Sequence, residues 1–157
     1  MRAKDPRILT LLNEVLTAEL TAINQYFLHS KLAGNWGFAR LHKALRHESI
    51  DEMKHAELVT ERILFLDGIP NLQLLWKLNI GETVEEQFNS DLALEYAAIE
   101  RLNAGIALAR ELGDNGTREL LEKILVSEEQ HVDWIETQLA AIERVGLQGY
   151  LAEQLKE

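Results

Sequence analysis

The 157-residue chain contains no cysteine, which excludes disulfides, cysteine-ligated zinc and iron–sulfur clusters and suits a reducing compartment. Proline is nearly missing, at two residues, and aromatics make up only 6%. So little proline leaves long helices uninterrupted, and an abundance of Leu, Ala, Glu and Ile favours forming them. Basic residues are in deficit, 16 Lys and Arg against 26 Asp and Glu, for a formal net charge of −10. That argues against a nucleic-acid partner, whose phosphates demand a basic surface. It suits attraction of cations, although a solvated acidic surface is the commoner meaning of such a charge. No stretch approaches the roughly 18 uninterrupted apolar residues of a membrane span, so no membrane partner is expected. Met1-Arg2-Ala3-Lys4-Asp5-Pro6 opens an amphipathic segment, not an apolar signal sequence. The expectation is an all-α, soluble, cytoplasmic protein with one domain over residues 1–157, large enough to bury a substantial core.

What the chain does have is an internal repeat of ionisable residues. Glu19 pairs with Glu95, Glu52 with Glu128 and His55 with His131, each at an offset of 76 positions. Within each half the second glutamate follows the first by 33, from Glu19 to Glu52 and from Glu95 to Glu128. Each second glutamate opens a Glu-x-x-His motif, Glu52-Met53-Lys54-His55 and Glu128-Glu129-Gln130-His131. One such motif has little specificity; two, each preceded by a glutamate at the same distance, are hard to obtain by chance. Four carboxylates and two imidazoles in this order are the ligand set of a di-iron or di-manganese site inside a four-helix bundle.

Hydrophobic periodicity places the set on helices. Asp5 caps a first helix with Pro6 in its first turn, carrying the stripe Ile8, Leu12, Val15, Glu19, Ile23, Tyr26 until Gly34-Asn35-Trp36-Gly37. A second runs from about Phe38 to Asp67 with Leu41, Leu45, Glu48, Glu52, His55, Val59, Ile63 and Leu66, stopping at Gly68. Thr83 opens a third with a capping box to Glu86 and the stripe Val84, Phe88, Leu92, Glu95, Ile99, Leu102, Ile106. After Gly113-Asp114-Asn115-Gly116 a fourth carries Leu121, Ile124, Glu128, His131, Ile135, Leu139 and Ile142, and residues 147–156 form a short fifth element. All six candidate ligands thus lie on core-facing stripes. The linker Gly68–Glu82, about 50 Å when extended, can return along helices of about 45 Å, packing its leucines and Trp76 as it goes. Two antiparallel hairpins joined by one long crossover form a ferritin-like four-helix bundle.

Buried carboxylates cost several kcal/mol each even after relaxation. Two divalent cations would neutralise four of them, and oxygen donors with one imidazole per metal suit iron or manganese, with zinc possible. The bland alternative, a helical core with scattered polar groups, must explain six coincident positions. Elsewhere the residues leave alternatives open. Met53, the only methionine beyond the initiator, points about 100° away from the seam, onto a flank with Arg46, Ser49, Glu57 and Thr60. A thioether there packs an interface or ligates haem iron, and packing is the commoner case. His47 and Asp51, at i and i+4, either hold a further cation or form a solvated pair. Tyr26 and Trp134 are core residues or oxidisable neighbours of a metal; His29 and His42 have no evident role.

At these residues the chain closely resembles the bacterioferritins, the haem-containing bacterial ferritins. The similarity runs through Glu19-Leu20-Thr21-Ala22-Ile23-Asn24-Gln25-Tyr26-Phe27-Leu28-His29 and His47-Glu48-Ser49-Ile50-Asp51-Glu52-Met53-Lys54-His55. It continues through Arg62–Leu66, Pro70–Gln73, Ser90–Glu95 and Glu128–His131, nearly the whole chain. The resemblance implies a hollow homo-oligomer of 24 subunits that oxidises Fe(II) with O2 or hydrogen peroxide and stores ferric mineral. It implies that Glu19, Glu52, His55, Glu95, Glu128 and His131 are ferroxidase ligands, with Glu52 and Glu128 bridging. It also implies one haem b per two subunits on Met53, an inner-surface iron site at His47 and Asp51, and an electron-donating ferredoxin. Two positions depart from the family pattern: Gly149 and Ala152 replace polar residues of a four-fold pore, and Arg46 stands where some members have a tyrosine near the haem. A di-metal oxidase or manganese catalase without storage is the competing enzyme reading, and a non-catalytic helical interaction protein the third.

Overall fold

The computed structural model describes residues Met1–Glu157. Five helices follow in order, α1 Pro6–Asn35, α2 Ala39–Phe65, α3 Val84–Glu111, α4 Asn115–Val145 and α5 Leu147–Gln154, with no strand. Helices α1 with α2 and α3 with α4 form two antiparallel hairpins, and the four long helices make the ferritin-like bundle.

The helix ends follow from side chains at the caps. Asp5 accepts the Arg7 amide at 2.8 Å, Thr83 that of Glu86 at 3.2 Å, and Asp114 that of Thr117 at 3.1 Å. The capping box at Thr83 is modified: the Glu86 carboxylate takes the N–H of Glu82, not of Thr83. The first hairpin turn is shorter than the four residues expected, because Gly34 and Asn35 still belong to α1 and only Gly37 is left-handed, at φ 89°. There the Phe38 amide reaches Ala33 O and the Gly37 amide Gly34 O, closing a Schellman motif. The second helix also stops earlier than expected, at Phe65. Its left-handed residue is Asp67, at φ 59°, not Gly68. Gly68 is needed for another reason: a Cβ there would lie 2.6 Å from Leu9 Cδ2.

The linker returns along α1 as anticipated, but its backbone does the docking. The Asn71 amide donates to Asn13 Oδ1 at 2.8 Å, Trp76 to Thr21 Oγ1 at 3.0 Å, Asn79 to Gln25 Oε1 at 3.1 Å and Gly81 to His29 Nε2 at 3.0 Å. These acceptors climb one face of α1, so the crossover is latched over four helical turns. Contrary to expectation, Leu72, Leu74 and Leu75 stay largely exposed, and Trp76, though its ring lies under Arg101 of α3, is 39% exposed.

The apolar core comes in two blocks. One gathers Ile8, Leu12, Leu16, Val59, Ile63, Leu102, Leu121 and Ile124; the other Tyr26, Leu41, Leu45, Phe88, Ile135, Ile142 and Tyr150. Along α1 the first block ends at Leu16 and the second begins at Ala22, with Glu19 between them. Helix α5 closes the end of the second block through Tyr150, whose ring meets Phe88 edge-on and whose hydroxyl donates to Gln138 at 2.8 Å.

Candidate metal centre

Between the two blocks the seam turns polar. Helix α1 supplies Glu19, α2 Glu52 and His55, α3 Glu95, and α4 Glu128 and His131. The i, i+3 spacing of each Glu-x-x-His motif puts both side chains on one helix face. All six are buried, and Glu95 has no exposed surface. Two overlapping quartets form, Glu19, Glu52, His55, Glu128 and Glu52, Glu95, Glu128, His131, with one donor atom of each residue within 4.8 Å of the others. Glu52 and Glu128 belong to both. His55 Nδ1 lies 2.8 Å from Glu128 Oε1 and 3.5 Å from both Glu19 and Glu52. His131 Nδ1 lies 2.9 Å from Glu52 Oε1, 3.3 Å from Glu95 Oε1 and 3.5 Å from Glu128 Oε2.

Close approach here does not mean hydrogen bonding. His55 Nδ1 and one oxygen each of Glu19, Glu48, Glu52, Glu95 and Glu128 are buried without a hydrogen-bond partner. Orphaned buried groups are rare in a folded protein. Donor atoms that crowd without pairing converge on shared points between them, which is what cations require. The donor set, hard oxygens with one imidazole per point, fits iron or manganese.

The electrostatics agree. Burial, then the neighbouring carboxylates, raises Glu19 and Glu95 well above the ordinary carboxylate range, and Glu52 is raised for the same reasons. Burial would raise Glu128 too, but the Glu95 carboxyl and the imidazoles of His131 and His55 beside it hold it below that range. His55 feels the opposite balance. Desolvation pulls its pKa down, yet Glu128, Glu19 and Glu52 push it up to about 12. Without metal, protons must therefore do the neutralising.

Around the six lies a second layer that periodicity alone did not assign. Tyr26 sits on the α1 stripe with Glu19 but reaches across to α3, donating its hydroxyl to Glu95 Oε1 at 2.5 Å. Glu48, one turn before Glu52, places Oε2 2.7 Å from His131 Nε2. The signal for Glu48 was present, a glutamate in an apolar stripe, but its partner stands on another helix. Asp51 comes within 3.8 Å of the same nitrogen and 3.3 Å of His47 Nε2. Glu48, Asp51 and His131 thus form a third acidic group leading outward from the buried centre to the exposed His47.

Met53 is 56% exposed and has no role in the buried cluster. Ser49 Oγ donates to Ile23 O at 2.9 Å, setting the register that brings Met53 level with the Leu20 turn of α1. Ile50, one turn before it on α2, is half-buried. His29 has a structural role: with Nε2 accepting from Gly81, its Nδ1 donates to buried Asp91 at 2.9 Å. His42 Nδ1 lies 2.7 Å from Ser30 O and ties α2 to α1. Trp134 is core, packed edge-on against Phe88. Gly149 and Ala152 lie exposed on α5 and offer no donor side chain.

Comparison with known proteins gives the chain's relatives. Residues 9–145 match the ferritin-like domain family. A bacterioferritin of Mycolicibacterium paratuberculosis is 54% identical over 149 residues, covering 95% of this chain and 94% of that protein. Bacterioferritin BfrA of Mycobacterium tuberculosis shows the same identity and coverage. A Streptomyces coelicolor bacterioferritin is 48% identical over 153 residues, with 98% and 92% covered.

Proposed function

The chain belongs to the bacterioferritin family, a family of iron-storage proteins, and on that premise we propose that its buried centre is a ferroxidase. The observation that carries the reading is the pair of overlapping quartets, because Glu52 and Glu128, common to both, would hold two cations as a pair. Glu19 and His55 complete one position, Glu95 and His131 the other. Two Fe(II) ions, the substrate, give one electron each to O2 or hydrogen peroxide. Four carboxylates favour the higher charge of Fe(III), so the ligand set drives the oxidation. Because the ligands bind metal deprotonated, the imidazoles and raised carboxylates lose protons as iron enters. The acidic steps Glu48, Asp51 and His47 offer the outward path.

The reading extends to assembly in a cytoplasmic homo-oligomeric shell of 24 copies. Exposed Phe27, Met53, Leu64, Phe65, Leu72 and Leu74 supply apolar surface for contacts between copies. No helix is long and apolar enough to cross a membrane. Met53 fits a haem: its exposed, unpacked soft thioether is a donor that would hold haem iron. Haem b, held between Met53 of two copies, would supply an electron relay from a ferredoxin-type donor.

The test is aerobic addition of Fe(II) to the purified protein, followed by optical absorption and light scattering. Rapid oxidation by wild type and growth of a ferric mineral in a large shell are expected. Glu52→Ala or Glu128→Ala should slow initial oxidation by roughly 100-fold or more, since each removes a donor common to both positions. Wild-type rates in either variant at sub-stoichiometric iron would refute the assignment. Turnover with no mineral, from a monomer or dimer, would favour a di-metal oxidase.

A further inference from the structure

The 76-residue repeat that relates the six ligands breaks down in the layer behind them. Glu48 stands four residues before Glu52; the equivalent residue, four before Glu128, is Ile124. Tyr26 follows Glu19 by seven, and the residue seven after Glu95 is Leu102. Both replacements are fully buried and apolar. The two polar members of the layer also act on the same half. Glu48 meets His131 at 2.7 Å, and Tyr26 donates to Glu95 at 2.5 Å. The only carboxylates within 4 Å of His55 are Glu19, Glu52 and Glu128, all in the ligand set. Symmetric ligands therefore sit in asymmetric surroundings.

We propose that the two metal positions are unequal, and that Glu48 makes the Glu95–His131 position the tighter one, filled first. This rests on the di-metal reading above. With Glu48 Oε2 only 2.7 Å from His131 Nε2, a metal on Nδ1, the atom facing Glu52, Glu95 and Glu128, would leave the ring proton on Nε2 with a carboxylate waiting for it. That carboxylate also fixes the ring plane and raises the basicity of the ligating nitrogen. Tyr26 holds the Glu95 carboxylate in one rotamer, so less order is lost when the cation arrives. The Glu19–His55 position has no such support, and its side chains must be ordered by the metal itself. Glu48 is thus a positioning residue acting through His131.

The inequality is measurable with Co(II) as probe on the metal-free full-length protein, by calorimetry and by its visible ligand-field bands. Wild type should bind two Co(II) per chain in resolved tight and weak steps. Glu48→Ile, which copies the residue found in the other half, should weaken the tight step by about 10- to 100-fold and leave the weak one nearly unchanged. Glu48→Gln keeps an acceptor for Nε2–H without the charge and should fall between. His55→Ala should keep the tight step and His131→Ala only the weak one. Unchanged helicity by circular dichroism shows that a variant is folded, and Glu48→Gln serves should Glu48→Ile fail that check. Two equal steps in wild type, or equal weakening of both steps by loss of Glu48, would overturn the inference while leaving the di-metal centre intact. A wild type that binds no Co(II) would overturn the metal reading and the inference with it.

Discussion

At the scale of single residues, neighbours decide what each ionisable or soft side chain does. Glu19 and Glu48 both lie in apolar stripes, yet one faces the shared donor atoms and the other the back of an imidazole. Met53 follows Glu52 directly and has the opposite surroundings, exposed where Glu52 is buried. If Met53 is the haem ligand, Met53→Leu should abolish the Soret absorption of the purified protein. Oxidation of Fe(II) by O2 should persist within about two-fold, because the thioether is no part of the buried donor set. Reductive release of stored iron should slow. Unchanged haem content in Met53→Leu would show that the side chain only packs between copies.

At the scale of elements, the crossover depends on polar latches more than on apolar burial. His29 is central, because one ring joins three segments: its own helix α1, Gly81 of the crossover and Asp91 of α3. Gly81 admits no side chain, since a Cβ would lie 2.3 Å from Gln87 N. Removing the ring as His29→Ala would leave the Gly81 amide unpaired and Asp91 with only Gln25. The expected cost is roughly 3 kcal/mol, read as a lower urea midpoint, with faster proteolysis within residues 69–80. An unchanged midpoint would mean that water replaces the ring without loss. At the opposite end, Arg62 of α2 meets Asp114 at 2.8 Å and Thr117 at 3.0 Å, holding the two hairpins together beside the cap of α4.

For the whole molecule, the unmetallated centre makes stability depend on pH in a particular direction. His55 is raised from 6.5 to about 12, so its stabilising contribution is complete below 6.5 and is lost as pH rises through about 12. Glu19 and Glu95 are raised by burial above 4.5, and their contribution likewise fades as pH rises through the raised values. Glu128 is lowered and acts oppositely, but only on acidification below 4.5. Metal-free protein should therefore lose stability as pH rises from about 6 to 9, seen as a falling urea midpoint. Glu95→Gln should flatten that slope. Metal-loaded protein should instead weaken on acidification, because protons compete for the ligands. A metal-free midpoint that climbs with pH over this interval would contradict the charge state assigned to the centre.

Periodicity and the 76-residue repeat were enough, by themselves, to place Glu19, Glu52, His55, Glu95, Glu128 and His131 on four inward helix faces and to call for a long return between the hairpins. Those are local properties: helical spacing converts sequence distance into direction, and glycines with capping residues mark where each helix stops. The same logic could not see Glu48 against His131, Tyr26 against Glu95 or His29 between Gly81 and Asp91, because each pair joins different elements. It misjudged the leucines of the crossover, because that segment docks through backbone N–H groups onto side chains of another element, Asn13, Thr21, Gln25 and His29. It also could not reveal that near-identical half-sites have different surroundings. Helix packing decided that, by bringing Glu48 of α2 to the histidine of α4 while its repeat partner, Ile124, joined the apolar core.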